Sequence, residues 1–189
     1  IEQAFLIQAD ETTLKVQNDT VKDKCDLGYM WPFVGDGKLA VFEFRDSRVR
    51  EGPTDFLSGF TGRYLMSDGY AGYNQVIEEN KLTHLMCWAH ARRKFFEQKG
   101  LEPQFAGQVL GLIKELYMVE RDAVEMKPDD RKAVRLEKSA PVLEKIKSIL
   151  EERSKTILPK NPLNEAINYT LNHWKQLTAY LRDGRLPID

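Results

Sequence analysis

Two aspartates each follow a short apolar run, and this arrangement predicts a metal site. Asp10 follows Phe5–Ala9, and Asp68 follows Tyr64–Ser67. A buried strand that ends in a carboxylate delivers that group to the rim of a sheet, and two such strands side by side bring two carboxylates to one ion. Mg²⁺ prefers carboxylate oxygens, and a two-metal site supports phosphoryl transfer. A pair of solvated strand-end carboxylates is the alternative, and spacing alone leaves both interpretations open.

The third acidic ligand that such a site normally needs is not evident. Glu11 stands beside Asp10, but successive side chains of an extended strand point to opposite faces. We therefore expect Glu11 to point away from the aspartates and to be a poor ligand.

A second group of possible ligands lies between residues 84 and 90. His84, Cys87 and His90 are residue types that bind zinc, but their spacing differs from that of zinc knuckles and no fourth ligand is evident. We expect Cys87 to be a buried residue at a strand end, and His90 to pack or hydrogen-bond near the rim of the sheet.

The densest basic cluster follows directly, as Arg92, Arg93 and Lys94. A run of this kind is either a solvated helix face or a surface that contacts phosphates. The sequence alone does not decide between these two interpretations.

Five strand candidates surround these residues and predict an α/β fold. They are Ala4–Ile7 with its continuation through Thr12–Val16, Tyr29–Val34, Leu39–Phe44, Tyr64–Met66 and Leu82–Cys87. Residues 17–26 are polar and turn-like, and Gly35-Asp36-Gly37 predicts a hairpin because aspartate and glycine tolerate positive φ. Hairpin-ordered strands followed by strand–helix–strand predict a mixed five-stranded sheet flanked by helices. This order permits the fourth strand to lie beside the first and parallel to it.

The remainder of the chain is predicted to be helical. Apolar residues recur at helical spacing over residues 105–117, 142–150 and 163–181. Gly184 follows the last stripe, where a glycine commonly ends a helix in the left-handed conformation.

Composition is typical of a soluble globular protein without a membrane span. The 189 residues are 42% hydrophobic and 30% charged, and no apolar run approaches the roughly 18 residues of a membrane helix. Cys25 and Cys87 do not form a disulfide framework, which favours a cytoplasmic location. The net charge of −1 lacks the basic excess of many nucleic-acid binders, so any DNA contact must depend on local patches.

Several longer motifs carry a family resemblance. They are Asp10–Val16, Ser67–Tyr73, the Cys-Trp-Ala-His-Ala-Arg-Arg-Lys-Phe run at 87–95, and the tail Pro162–Asp189. In the same order and over almost the whole chain, these segments resemble the transposase of the insertion sequence 66 family.

The resemblance implies a ribonuclease-H-like core that uses an Asp-Asp-Glu triad with Mg²⁺ or Mn²⁺. Such an enzyme cuts and joins DNA in transposition, the recombination reaction that moves a mobile element. On this pattern Asp10 is the first acid and Asp68 the second, and both are metal ligands. The implied partners are element ends, target DNA and further copies of the chain in a synaptic homo-oligomer, within the bacterial cytoplasm.

The same resemblance gives expected roles to the segment after the second acid. Arg92, Arg93 and Lys94 would contact the DNA backbone. Cys87 and His90 match a Cys-x-x-His signature, which implies a structural or DNA-contacting role near the active site.

Three domains are expected from the resemblance. Residues 1–99 would form the catalytic core, 100–160 an all-helical insertion, and 161–189 a closing helix that leads back toward the core. The third acid, a Glu after an Asp-Asn-Asn turn in the family, is expected beyond Asp189. The chain is therefore expected to be a fragment that binds metal weakly and is inactive alone.

Two other functions remain open on the sequence. One is a non-catalytic remnant that serves as a DNA- or protein-binding module, which fits the near-neutral charge. The other is a ribonuclease-H-like nuclease without strand transfer, which needs a third acid within residues 70–189. Glu165 and Asp183 are the candidates for that acid.

Overall fold

The computed structural model describes residues 1–17, 24–48 and 51–189, with the side chains of all of these except Glu51 and Pro53. The chain forms two compact units, Ile1–Leu85 and Met86–Asp189. In the described part of the chain, no helix combines the length and the apolar character that a membrane crossing requires.

The first unit is built on a mixed β-sheet. Its strands are β1 (Leu6–Ala9), β2 (Thr12–Gln17), β3 (Cys25–Gly35), β4 (Leu39–Arg45), β5 (Tyr64–Ser67) and β6 (Thr83–Met86). Strands β1 and β2 follow one another along one edge of β3, and both are antiparallel to it. Strand β4 pairs antiparallel with the other edge of β3. On its far side β1 pairs in parallel with β5, and β6 lies beyond β5.

The described sheet has six strands, so the prediction of five was wrong. The first predicted strand is divided at Asp10 and Glu11, opposite Pro32 of β3. The backbone N–H of Asp10 donates to the Pro32 carbonyl at 3.3 Å, but Pro32 has no N–H to return to Asp10. The ladder is interrupted there, and β1 and β2 become separate strands.

The predicted hairpin between β3 and β4 is confirmed. Asp36 and Gly37 adopt φ values of 51° and 65°, as a tight turn requires. The Asp36 carboxylate also accepts hydrogen bonds from the backbone N–H groups of Phe5 and Leu6, at 3.1 and 3.0 Å. The turn is thereby tied to the start of β1. The turn predicted over residues 17–26 falls mostly outside the described residues.

One face of the sheet is covered by α1 (Glu51–Leu57), a 3₁₀ turn (Ala71–Tyr73) and α2 (Asn74–Glu79). The buried core of this unit is apolar and joins strand and helix residues. It contains Ala4, Ile7, Ala9, Trp31, Phe33, Leu57, Phe60, Leu65, Tyr73, Val76 and Leu82. Phe33 also stacks on Phe56, with ring centroids 3.9 Å apart. This packing fixes β1 and β5 and hence the residues that follow them.

The second unit is helical, as predicted. Its helices are α3 (Trp88–Glu97), α4 (Pro103–Asp122), α5 (Pro128–Val134), α6 (Ala140–Ser154), α7 (Pro162–Asn172) and α8 (Trp174–Leu177), with a π-helical turn at Arg135–Ser139 and a 3₁₀ turn at Ala179–Arg182. The last predicted helix is therefore broken near His173. The predicted domain boundaries at 99/100 and 160/161 stay predictions.

Two details organise the end of this unit. Arg135 is fully buried, pairs with Glu120 and donates to the backbone carbonyls of Tyr180, Asp183 and Leu186. Gly184 does not adopt the predicted left-handed conformation. Its role is close packing, because a Cβ there would lie 1.8 Å from the Pro128 carbonyl oxygen.

Candidate active site

Asp10 and Asp68 lie at the same rim of the sheet. Strands β1 and β5 are parallel neighbours, an arrangement that the predicted strand order permits, with Gln8 opposite Met66. Each aspartate stands two residues beyond this pair, so the two carboxylates emerge side by side. Ligand oxygens of Asp10, Glu11 and Asp68 all lie within 4.8 Å of one another. We call these three residues the acidic cluster.

Glu11 belongs to the acidic cluster, and the prediction that it points away was wrong. The interruption opposite Pro32 removes Asp10 and Glu11 from the regular strands, so strict alternation of side chains does not apply to them. The Glu11 side chain is only 6% exposed and forms an ion pair with Arg48. Its second oxygen, Oε2, is buried and has no hydrogen-bond partner among the described residues.

Backbone groups hold the two aspartates. The Asp68 carboxylate accepts from the N–H of Tyr70 at 2.9 Å, and the Asp10 carboxylate accepts from the N–H of Glu11 at 2.9 Å. The buried Ser67 hydroxyl lies 2.9 Å from His84 Nε2 and donates to the Asp68 carbonyl at 3.1 Å. The two backbone N–H groups orient the carboxylates, and the Ser67 hydroxyl ties the Asp68 backbone to His84.

Burial and like charge both disfavour ionisation of Glu11. Burial raises the pKa of its carboxyl group, and the negative charges of Asp68 and Asp10 raise it further. The Arg48 guanidinium opposes this rise through its charge and hydrogen bond. Tyr73, buried beneath the cluster, has a raised pKa because of its burial and the nearby charge of Glu11. Three carboxylates in the cluster thus face one guanidinium, that of Arg48, as the positive charge named at this site.

Arg48 is the main site residue that the sequence did not indicate. Its guanidinium carbon lies 4.3 Å from the centre of the Tyr70 ring, and the Tyr70 hydroxyl donates to the Arg48 carbonyl at 2.9 Å. Tyr70 thus fixes both ends of the residue that neutralises Glu11. Arg48 follows β4 in a short irregular segment, where no periodic pattern marks its destination.

The acidic cluster suits a divalent cation such as Mg²⁺ or Mn²⁺. Such ions prefer carboxylate oxygens, and the cluster presents three carboxylates within 4.8 Å. A buried oxygen without a partner is unusual in a folded protein, and Glu11 Oε2 is such an atom. An ion bound by these groups would also relieve the repulsion among them.

Comparison with known proteins identifies the family. The model of the IS66 transposase family matches residues 1–189. The chain belongs to this family. Its curated relatives in Sinorhizobium fredii include the uncharacterized proteins y4hP, y4jD and y4qI, which are 28%, 33% and 26% identical to it. The matches cover 96%, 84% and 100% of this chain but 37%, 32% and 38% of those proteins, so the chain spans about a third of their length.

The Cys-x-x-His segment of this IS66 chain connects β6 to α3. The Cys87 thiol donates to the Asp189 carboxylate at 3.4 Å, and burial together with the Asp189 charge raises its pKa to about 11. Without a bound metal, Cys87 is therefore a thiol near neutral pH. His90 Nδ1 is buried without a hydrogen-bond partner in the described chain. Neither residue belongs to a group of ligand atoms there, and their predicted role near the active site stays a prediction.

The basic run of this IS66 chain divides into separate environments. Arg92 and Arg93 are exposed on α3. Lys94 pairs with Glu165 at 2.9 Å and lies 4.9 Å from the centre of the Tyr169 ring. Contact of all three side chains with DNA stays a prediction. Lys94 would have to leave Glu165 to contact a phosphate.

Glu165 and Asp183, the candidate third acids of a nuclease, both have basic partners. Glu165 is 79% exposed and holds Lys94. Asp183 pairs with Arg185 at 2.7 Å, and hydrogen bonds from Arg185 lower its pKa to about 2. Within the first unit, Glu11 is the described carboxylate that joins the two aspartates.

Proposed function

We propose that the acidic cluster is the catalytic centre of metal-dependent DNA strand cleavage and transfer in transposition. The observation that carries this proposal is the parallel pairing of β1 with β5, which brings Asp10, Glu11 and Asp68 within 4.8 Å in a member of the IS66 transposase family. Because the chain spans about a third of its relatives' length, the activity belongs to the longer protein.

The roles of the residues follow from their contacts. Asp10 and Asp68 would hold the cation, and each carboxylate accepts one backbone N–H. Glu11 contributes a third carboxylate, and Arg48 balances its charge when no cation is bound. A cation held there would supply activation of a water or 3′-hydroxyl nucleophile and stabilisation of the leaving oxygen of the phosphodiester.

DNA is the proposed substrate, and Arg92 and Arg93 are proposed contacts to its backbone. Cationic side chains on one helix neutralise phosphates without reading sequence. Assembly of several copies on DNA, which the family resemblance implies, stays a prediction.

The first test is a calorimetric Mn²⁺ titration of the 189-residue chain and its variants. Asp68→Asn and Asp10→Asn remove one charge each with little change in volume, and we expect each to weaken Mn²⁺ binding at least about 10-fold. Asp55→Asn is the matched control, because Asp55 is an exposed carboxylate on α1 that pairs with Arg45. Equal Mn²⁺ affinity in all four proteins would overturn the metal assignment and favour a non-catalytic binding module.

The second test uses the longer transposase in a transposition assay. Asp68→Asn should abolish transposition while circular dichroism and the melting temperature stay close to wild type. Retained transposition in this variant would show that Asp68 is not catalytic.

A further inference from the structure

The second unit contains an open groove that lies between α3 and α4. Its volume is about 720 Å³. Arg92, Phe96 and Lys99 line it from the α3 side, and Gly111 and Lys114 line it from α4. None of the acidic-cluster residues belongs to it, so the groove needs its own explanation.

The α3 side of the groove combines an aromatic ring with positive charge. Arg92 and Phe96 are four residues apart on α3, so they share one face of the helix, and Lys99 lies two residues beyond its end. Phe96 is 56% exposed, which is a cost in water for a ring of this size. An exposed ring flanked by cations is typical of a surface on which a nucleobase stacks.

The α4 side of the groove leaves room for a ligand. Gly111 lies in the middle of this helix, where glycine is unfavourable. A Cβ at Gly111 would meet no heavy atom within 4 Å, so core packing does not require glycine there. Lys114, one turn further along α4, adds a third cation to the groove.

The one carboxylate of the groove lining is engaged by protein donors. The Asp189 side chain accepts from the Ala89 N–H at 2.7 Å, from the Tyr117 hydroxyl at 2.9 Å and from the Cys87 thiol at 3.4 Å. Three cations therefore face one carboxylate whose charge is already solvated by the protein. The groove is locally basic on a chain whose net charge is −1.

We propose that this groove binds an unpaired segment of a DNA strand. Its phosphates lie along Arg92, Lys99 and Lys114, and one base stacks on Phe96. A paired duplex hides the faces of its bases, whereas a strand end or an opened segment presents them, so the exposed ring favours unpaired nucleotides. The groove proposal rests on DNA being the substrate of the proposed function, but it does not require a cation in the acidic cluster.

The test measures binding of a fluorescein-labelled ten-nucleotide DNA strand to the 189-residue chain, by anisotropy, in EDTA. Gly111→Leu fills the groove and should weaken binding at least about 10-fold, comparable to the loss of one base-stacking contact. Gly107→Leu is the matched control. It lies one turn earlier on α4 and also has open space at Cβ, but it does not line the groove, and we expect wild-type binding.

Both leucine variants should fold at least as well as wild type, because leucine is the better helix former. Melting temperatures at or above that of wild type would establish this. Loss of binding in Gly111→Leu, but not in Gly107→Leu, would then come from the filled groove. Equal binding by both variants and wild type overturns the groove as a DNA site.

Two further variants test the assigned chemistry. Phe96→Ala should weaken the single strand about 10-fold and affect a duplex of the same sequence less. Lys114→Gln should reduce the salt dependence of log K by about 0.7, as expected when one phosphate contact to a single strand is lost. If the duplex binds as tightly as the strand and Phe96→Ala changes neither, the assignment to unpaired DNA is wrong.

The groove and the acidic cluster can fail separately. Asp68→Asn should leave strand binding in EDTA unchanged, and Gly111→Leu should leave the Mn²⁺ titration unchanged. If Asp68→Asn binds Mn²⁺ as tightly as wild type while Gly111→Leu still weakens binding of the DNA strand, the metal centre alone is refuted. If Gly111→Leu binds the DNA strand as tightly as wild type while Asp68→Asn still weakens Mn²⁺ binding, the groove alone is refuted.

Discussion

Arg48 provides the sharpest prediction, because it occupies the place of a counter-ion in the acidic cluster. We consider Arg48→Gln, which removes the charge and keeps a polar side chain of moderate length. In the absence of a divalent ion, Glu11 would remain buried beside Asp68 and Asp10 without its ion-pair partner. The variant should therefore be less stable without metal and should bind metal more tightly.

The magnitude follows from the geometry. Two unit charges 4.8 Å apart, the limit of separation in the cluster, repel by about 3.5 kcal/mol at an effective dielectric constant of about 20. Exposed ion pairs contribute about 0–1 kcal/mol, and disrupting a buried pair costs about 3–5 kcal/mol. The Arg48 side chain is 42% exposed and that of Glu11 is 6% exposed, so we expect an intermediate loss of about 1–2 kcal/mol.

Metal binding should largely restore this loss. A bound Mn²⁺ takes over the neutralisation of Glu11, so Arg48 contributes less to the stability of the metal-bound protein. By linkage, a difference of about 1–2 kcal/mol corresponds to Mn²⁺ binding that is about 5- to 30-fold tighter in Arg48→Gln than in wild type.

The assay combines urea unfolding in EDTA, urea unfolding in saturating Mn²⁺, and calorimetric Mn²⁺ titration. Arg45→Gln is the control, because Arg45 pairs with Glu43 and Asp55 rather than with the acidic cluster. Its effect should be equal in both buffers.

A double variant shows whether Arg48 acts through Glu11. If the two compete directly, the gain in Mn²⁺ affinity from Arg48→Gln should disappear in a Glu11→Gln background. A gain that persists there would mean that Arg48 acts only as a distant charge. Weaker or unchanged Mn²⁺ binding in Arg48→Gln would refute the competition itself.

Three other predictions concern stability. In EDTA, wild type should lose stability relative to Glu11→Gln as the pH rises above about 4.3, the ordinary pKa of a glutamate carboxyl, because the raised pKa of Glu11 makes its ionisation costlier in the folded state; a stability difference between the two proteins that stays constant with pH in urea unfolding would contradict this. Gly184→Ala should lower the free energy of unfolding by about 1–3 kcal/mol, because the new Cβ meets the Pro128 carbonyl, and thermal melts would measure the loss. Arg135→Ala should cost about 3–5 kcal/mol in urea unfolding, because the buried carboxylate of Glu120 loses its fully buried partner; a loss below about 1 kcal/mol would show that Arg131 alone can neutralise it.

The rim position of the two aspartates could be predicted from sequence because it depends on local patterns. Apolar runs mark β1 and β5, and the order of the strands permits them to be parallel neighbours. The pairing itself, which brings Asp10 and Asp68 together, is seen only in the structure. The helical character of the second unit was equally accessible, since its apolar stripes are long and regular.

Glu11 could not be placed because its position depends on a residue across the sheet. Alternation along residues 4–16 puts it on the wrong side, and only the register with β3 shows that Pro32 interrupts the strand. Pro32 was visible in the sequence, and a proline within a strand indicates an edge or an irregularity. The residue opposite Pro32, whose pairing it disturbs, is set by the register of the sheet and not by the local sequence.

The contact of Arg48 with Glu11 and the existence of the groove also depend on tertiary structure. Arg48 reaches Glu11 across 37 residues of chain, from a segment without periodicity. The groove requires that the Phe96 face of α3 and the Gly111 face of α4 meet, whereas the sequence indicates only that both segments are helical. Gly107 and Gly111 both interrupt this helical stripe, and nothing in the sequence shows which of the two faces a groove.

The pairing order of the sheet also has a consequence for how the chain folds. Strands β2, β3 and β4 form hairpins between neighbours in sequence, so they can assemble early with little loss of chain entropy. The β1–β5 pair joins residues 58 positions apart, as in Gln8 and Met66, and must close a much longer loop. Asp10 and Asp68 therefore meet only when this late step is complete. We expect Mn²⁺ to bind refolding molecules after the hairpins have formed, so that the acidic cluster serves as a kinetic marker of the finished sheet.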